Sequence, residues 1–102
     1  MSAITQAVTK LFKDRMIDAY CSKHFEERII QRNIPLAELS KALNKIADNV
    51  CLIRYLQIVN ARSVKVEFDS FVLAVSFGVK GQLQIVTVFK PRWDNDTDLV
   101  LK

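Results

Sequence analysis

The stretch SKHFEERIIQRNIP, residues 22–35, holds the only histidine in the chain, with an arginine four and eight residues after it: His24, Arg28 and Arg32. On a helix, steps of four place these side chains on one side. Imidazole changes charge near neutral pH, so it can give or take a proton. Guanidinium stays charged and grips phosphate oxygens through a planar fork. Metal-free RNA cleavage needs a base for the ribose 2′-OH, an acid for the leaving 5′-oxygen, and cations on the phosphorane between them. One histidine among several arginines and lysines is a sufficient kit. The plainer reading is a solvated polar face, with local pairs such as Glu27–Arg28 that add little stability.

The strip borders the buried side of its helix, because Phe25 and Ile29 run beside it; Ile30 is the helix's other apolar position. Ser22 is placed to cap the helix. Asn33 and Pro35 end it, since proline lacks a donor and disfavours a helical Ile34. Upstream, Ile4, Val8, Leu11, Phe12, Met16 and Ala19 recur at helical steps and predict an amphipathic helix within residues 1–20, capped by Ser2. Downstream, Leu36, Leu39, Leu43 and Ile46 mark a third helix that starts at Pro35.

The second half reads as strands. VCLIRYLQIV, residues 50–59, fits neither period, and its Val, Ile and Tyr content predicts a strand. SVKVEF alternates, with Val64, Val66 and Phe68 inward. FVLAVSF, residues 71–77, suits a central strand. GVKG turns the chain on two glycines, and QLQIVTVF, residues 82–89, is the last strand. Short links imply antiparallel neighbours. The expectation is an α+β fold, with two to three N-terminal helices packed on one face of a three- to four-stranded antiparallel β-meander. It is one domain over residues 1–102, with an acidic tail at 91–102.

Composition bounds the chemistry. A chain of 102 residues, half of them hydrophobic, can bury a core without staples. Net charge is +4; setting aside Asp94, Asp96, Asp98 and Lys102 leaves 14 basic and 8 acidic side chains in residues 1–92, or +6. That leans toward a polyanionic partner. Cys21 and Cys51 form no Cys-x-x-Cys pair, and a single histidine cannot complete a metal site with them, so free thiols in a cytoplasmic setting and no metal or other cofactor are expected. The first residues are charged, unlike a signal peptide, and no apolar run is long enough for a membrane. DNDTD lacks the glycine and glutamate of a calcium loop. No Gly-rich phosphate loop or serine-nucleophile motif is present. Trp93, between Lys90 and Arg92 on one side and the acids on the other, can stack a base or fold back over a sheet edge.

The His-Arg-Arg helix, the leucine-rich helix after it and the closing LQIVTVF resemble RelE/BrnT-type small domains, in particular uncharacterised cytosolic domains that open on a His-x-x-x-Arg-x-x-x-Arg helix. The likeness spans residues 22–90. It implies a fold shared with metal-independent ribonucleases, including RelE-like toxins and colicin-type tRNases. His24, Arg28 and Thr87 then fall on catalytic positions, with His24 as acid or base and Thr87 orienting substrate. Arg32, Lys90, Arg92 and Trp93 become the nucleic-acid-binding set. The long N-terminal helix and the acidic tail depart from that pattern, and both are candidate docking surfaces. Two functions are therefore expected. One is a small domain acting on RNA, as a metal-independent ribonuclease or toxin. The other is a non-catalytic module that binds and regulates a macromolecular partner, whether an antitoxin-like or host protein or a second copy in a homodimer.

Overall fold

The first helix stops earlier than its apolar spacing predicts. In the computed structural model, which describes residues 3–89 and 97–101, α1 spans Ala3–Lys13 and buries Val8 and Phe12. Met16 then adopts φ 61°. The N–H groups of Met16 and Ile17 turn back to the carbonyls of Lys13 and Phe12, at 2.9 and 2.8 Å. That is a Schellman ending, which normally announces itself with a glycine. Here a fully exposed methionine does the job, so the helix does not run on to Ala19 as expected. Ala19 instead opens a strand, β1 (Ala19–Cys21). The expectations placed on Ser2, Lys90, Arg92, Trp93, Asp94 and Asp96 lie outside the described residues.

The next helix, α2 (Lys23–Gln31), is capped by Ser22 as expected, with the Phe25 N–H donating to Ser22 Oγ at 3.0 Å. Its other end repeats the left-handed device. Asn33 takes φ 51°, and the Asn33 and Ile34 N–H groups return to Ile30 and Ile29 at 3.2 Å each. Helix α3 (Leu36–Asp48) follows Pro35 and buries Leu39, Leu43 and Ile46, whereas Leu36, expected on the same buried face, is exposed in the first turn.

Residues 50–59 are helical, which corrects the strand expected there: α4 spans Val50–Asn60. Asn49 joins it to α3. The Asn49 side chain donates to the Lys45 carbonyl at 2.8 Å, and its own carbonyl accepts from the Ile53 N–H at 3.0 Å. Satisfying both helix ends at one residue lets two helices follow almost without a link.

The strands β2 (Val64–Glu67), β3 (Val72–Phe77) and β4 (Leu83–Phe89) make the expected antiparallel meander. The sheet is larger and mixed, however, in the order β1-β4-β3-β2-β5, with β5 at Leu99–Val100. Both edge strands pair in parallel, β1 with β4 and β5 with β2. The α+β class stands, with four helices and five strands among the described residues in place of the smaller antiparallel meander. Within the supposed acidic tail, Asp98 is almost enclosed. It accepts from Arg62 at 2.8 and 3.1 Å and from the Lys65 N–H at 2.9 Å. These bonds fasten β5 to the sheet edge.

Phe12, Phe25, Leu43, Ile46 and Ile53 close against Val64, Val66, Leu73, Val75, Leu83 and Ile85 to form the core. Paired residues share a face of the sheet. Lys65, Ala74 and Thr87 form one row on the face away from this core, and Glu67, Val72 and Phe89 form the next. On that face Lys65 Nζ reaches to 6.0 Å from the Phe89 ring, across the intervening β3. A β-bulge at Val86, where Ala74 pairs with Thr87 but Val75 pairs with Ile85, lets both Ile85 and Val88 point into the core. In the GVKG turn only Gly81 is left-handed, at φ 85°. Gly78 serves by its small size: a Cβ there would meet Gln82 Cδ at 2.7 Å.

Candidate functional sites on α2 and α4

Ser22 sets where α2 begins. Its N–H donates to the Ile85 carbonyl at 3.2 Å and its hydroxyl to the Val86 carbonyl at 2.6 Å. The first turn of α2 is therefore pinned to the middle of β4. Phe25 and Ile29 enter the core, which leaves His24 exposed and Arg28 and Arg32 half-buried. His24 and Arg28 do meet: Arg28 Nε donates to His24 Nε2 at 3.3 Å. The partner that steadies His24 is thus on its own helix.

Arg32 lies one turn further along. Its Nη1 is enclosed and has no hydrogen-bond partner among the described residues. Thr87 is not brought to this group. It is buried, but its pairing with Ala74 puts it on the sheet face away from the helices. Among the described residues, no group of three or more His, Cys, Asp or Glu side chains is arranged to hold a metal ion, and no helix is long and apolar enough to cross a membrane. Both cysteines are free. Burial, reinforced by the Glu26 carboxylate, pushes the Cys21 thiol up from 9.0 to about 12. Cys51 is exposed at the start of α4.

The surface that sequence reasoning missed is on α4. Of its eleven residues only Ile53 is buried. Leu52, Tyr55, Ile58 and Val59 are exposed by 42, 62, 73 and 59 %. Their spacing of three and four residues makes them one stripe. The available signal was an eleven-residue segment with a single charge, Arg54. A helix apolar on every side shows no period, and the same property hid both the helix and its exposed stripe.

Gln57 holds this helix in place. Its Nε2 donates to the Phe77 carbonyl at 3.0 Å, and its Oε1 accepts from the Phe77 N–H at 2.6 Å. Beside it, a cleft of about 320 Å³ runs between Ile17, Cys51, Arg54, Phe77, Lys80 and Gln82. The Arg54 guanidinium lies over the Phe77 ring there, 5.7 Å from its centre. Comparison with protein-family models, with curated proteins and with solved structures found no match.

Proposed function

We propose that this chain is a non-catalytic binding module that engages a macromolecular partner through α4. The observation that carries this reading is the uncharged stripe of Leu52, Tyr55, Ile58 and Val59 facing solvent. The helix has the composition of an interior element, yet the described residues cover one side of it only. Depletion of charge together with an aromatic centre is the signature of an interface core. At about 200 Å² for a side chain of this size, the four expose about 450–500 Å², the scale at which an apolar patch is often functional.

In-cell cross-linking tests the reading. Photoactivatable p-benzoyl-phenylalanine at position 55 is expected to give covalent protein adducts, and the same group in place of Ala37, exposed on α3, is not. Ile58→Glu should abolish the adducts. A chain that forms none at position 55 refutes the proposal.

Arg32 favours a second reading, action on RNA, in keeping with the resemblance to RelE/BrnT-type domains. A buried guanidinium nitrogen without a partner among the described residues suits a phosphate oxygen. In this reading Arg28 and Arg32 hold phosphate and His24 moves the proton. Total RNA incubated with the chain should then be cleaved, and His24→Ala should stop the cleavage. Intact RNA with the wild type overturns nuclease activity, and unchanged cleavage by His24→Ala overturns the role of His24.

A further inference from the structure

We infer that the partner of the α4 stripe is a second copy of this chain, paired helix against helix about a two-fold axis at Tyr55. The inference rests on the binding-module reading and names its partner. Tyr55 is the middle residue of Val50–Asn60. A two-fold axis there sets Leu52 of one chain against Ile58 and Val59 of the other, and Tyr55 against Tyr55. Every apolar side chain of the stripe then gains an apolar counterpart, as a self-complementary interface requires.

Charge points the same way. The two cations nearest the stripe in sequence, Arg54 and Arg62, each have a contact within the chain. Arg54 lies over Phe77, 5.7 Å from the ring centre, and Arg62 holds Asp98 at 2.8 and 3.1 Å. The four side chains of the stripe carry no charge, so setting them against themselves brings no like-charge repulsion between them. The exposed sides of the other helices differ, since they carry Lys10, Lys13, Lys23, Glu27, Lys41 and Asp48. Area sets the strength: roughly 450–500 Å² from each copy is below the ~800 Å² per partner of a standard interface and falls in the range of weak, reversible pairs.

Sedimentation equilibrium on the purified chain from about 1 to about 200 μM is the test, because self-association is driven by mass action. The weight-average mass should rise from 11.7 kDa toward twice that value. Ile58→Glu, at a position exposed by 73 %, should stay monomeric with an unchanged circular dichroism spectrum. Ile30→Glu, on the exposed side of α2, should dimerise like the wild type. In a Cys51→Ser background, Tyr55→Cys should give a disulfide-linked dimer under mild oxidation, and Ala37→Cys should not. A wild type that is monomeric at the top concentration, or a dimer that Ile58→Glu leaves intact, overturns the inference. Cross-linked adducts at position 55 with masses other than twice the chain's, from a chain that is monomeric when pure, overturn it while sparing the module. Absence of both adducts and dimer overturns both.

Discussion

Replacing Gln57 by alanine removes the clamp that sets the rotation of α4. Strand β2 stops pairing with β3 at Val64–Val75, so Phe77 continues two residues past its last β2 neighbour. The Gln57 side-chain amide supplies the donor and acceptor that the next peptide of β2 would have offered, at 3.0 and 2.6 Å. Each such bond contributes about 0.5–1.5 kcal/mol net. Both are only partly buried, so water replaces them in part, and the expected loss for Gln57→Ala is about 1–2 kcal/mol. For a domain of this size that lowers Tm by about 5–15 °C. Urea denaturation should show a lower midpoint with an unchanged slope.

Gln57→Glu sharpens the test. The introduced carboxylate still accepts from the Phe77 N–H, but its second oxygen faces the Phe77 carbonyl. That contact favours the protonated form and raises the folded-state pKa above the unfolded value of about 4.3. The protonated carboxyl therefore supports the fold below that unfolded value, and its contribution is lost as pH rises through the raised one. The variant should approach wild-type stability near pH 4 and fall below it at pH 7, with the two measured side by side. A Gln57→Ala loss under about 0.5 kcal/mol, or a Gln57→Glu deficit independent of pH, refutes the role given to the amide.

Met16→Gly should stabilise the chain by about 0.5–1 kcal/mol, because φ 61° strains any side chain but suits glycine; a drop in the urea midpoint contradicts the Schellman ending. Asp98→Ala should cost about 1–3 kcal/mol by leaving the part-buried Lys65 N–H without its acceptor and releasing Arg62 from the sheet edge. In that variant the Leu101 amide, bonded to the Glu67 carbonyl at 2.9 Å, should lose hydrogen-exchange protection well before Leu73 does. Thiol titration at pH 8 should find one reactive cysteine per native chain, Cys51, and two after denaturation. Since the folded Cys21 thiol is pushed up from 9.0 to about 12, stability should hold below pH 9 and decline as pH climbs from about 9 toward about 12. A Cys21→Ala variant should lose that part of the alkaline decline.

The elements legible in the sequence are those whose two sides differ. Ser22 announces α2, the leucine spacing gives α3, and Val64 and Val66 against Lys65 and Glu67 give β2. Three features were hidden, each for a physical reason. The end of α1 rests on a methionine in a conformation usually left to glycine, so the helical pattern ran on through Ala19. Helix α4 has apolar residues on its exposed side as well as its buried one, which erases its period. Strands β1 and β5 are three and two residues long and pair with partners remote in sequence, so no local pattern marks them. At the candidate site, the spacing of four brought His24 and Arg28 together. The face on which Thr87 lies depends on the Val86 bulge, which strict alternation does not anticipate.

The attachment of β1 to β4 has a kinetic consequence. Ser22 and Val86, joined by a 2.6 Å bond, are 64 positions apart in the chain. The two hairpins β2–β3 and β3–β4 close over short loops and can assemble quickly, whereas β1 must wait for a long loop to close. Until it docks, β4 presents an open edge that accepts any strand of matching pattern. The preferred intruder is β1 of another molecule, so refolding at high concentration should yield dimers that have exchanged their first helix and strand.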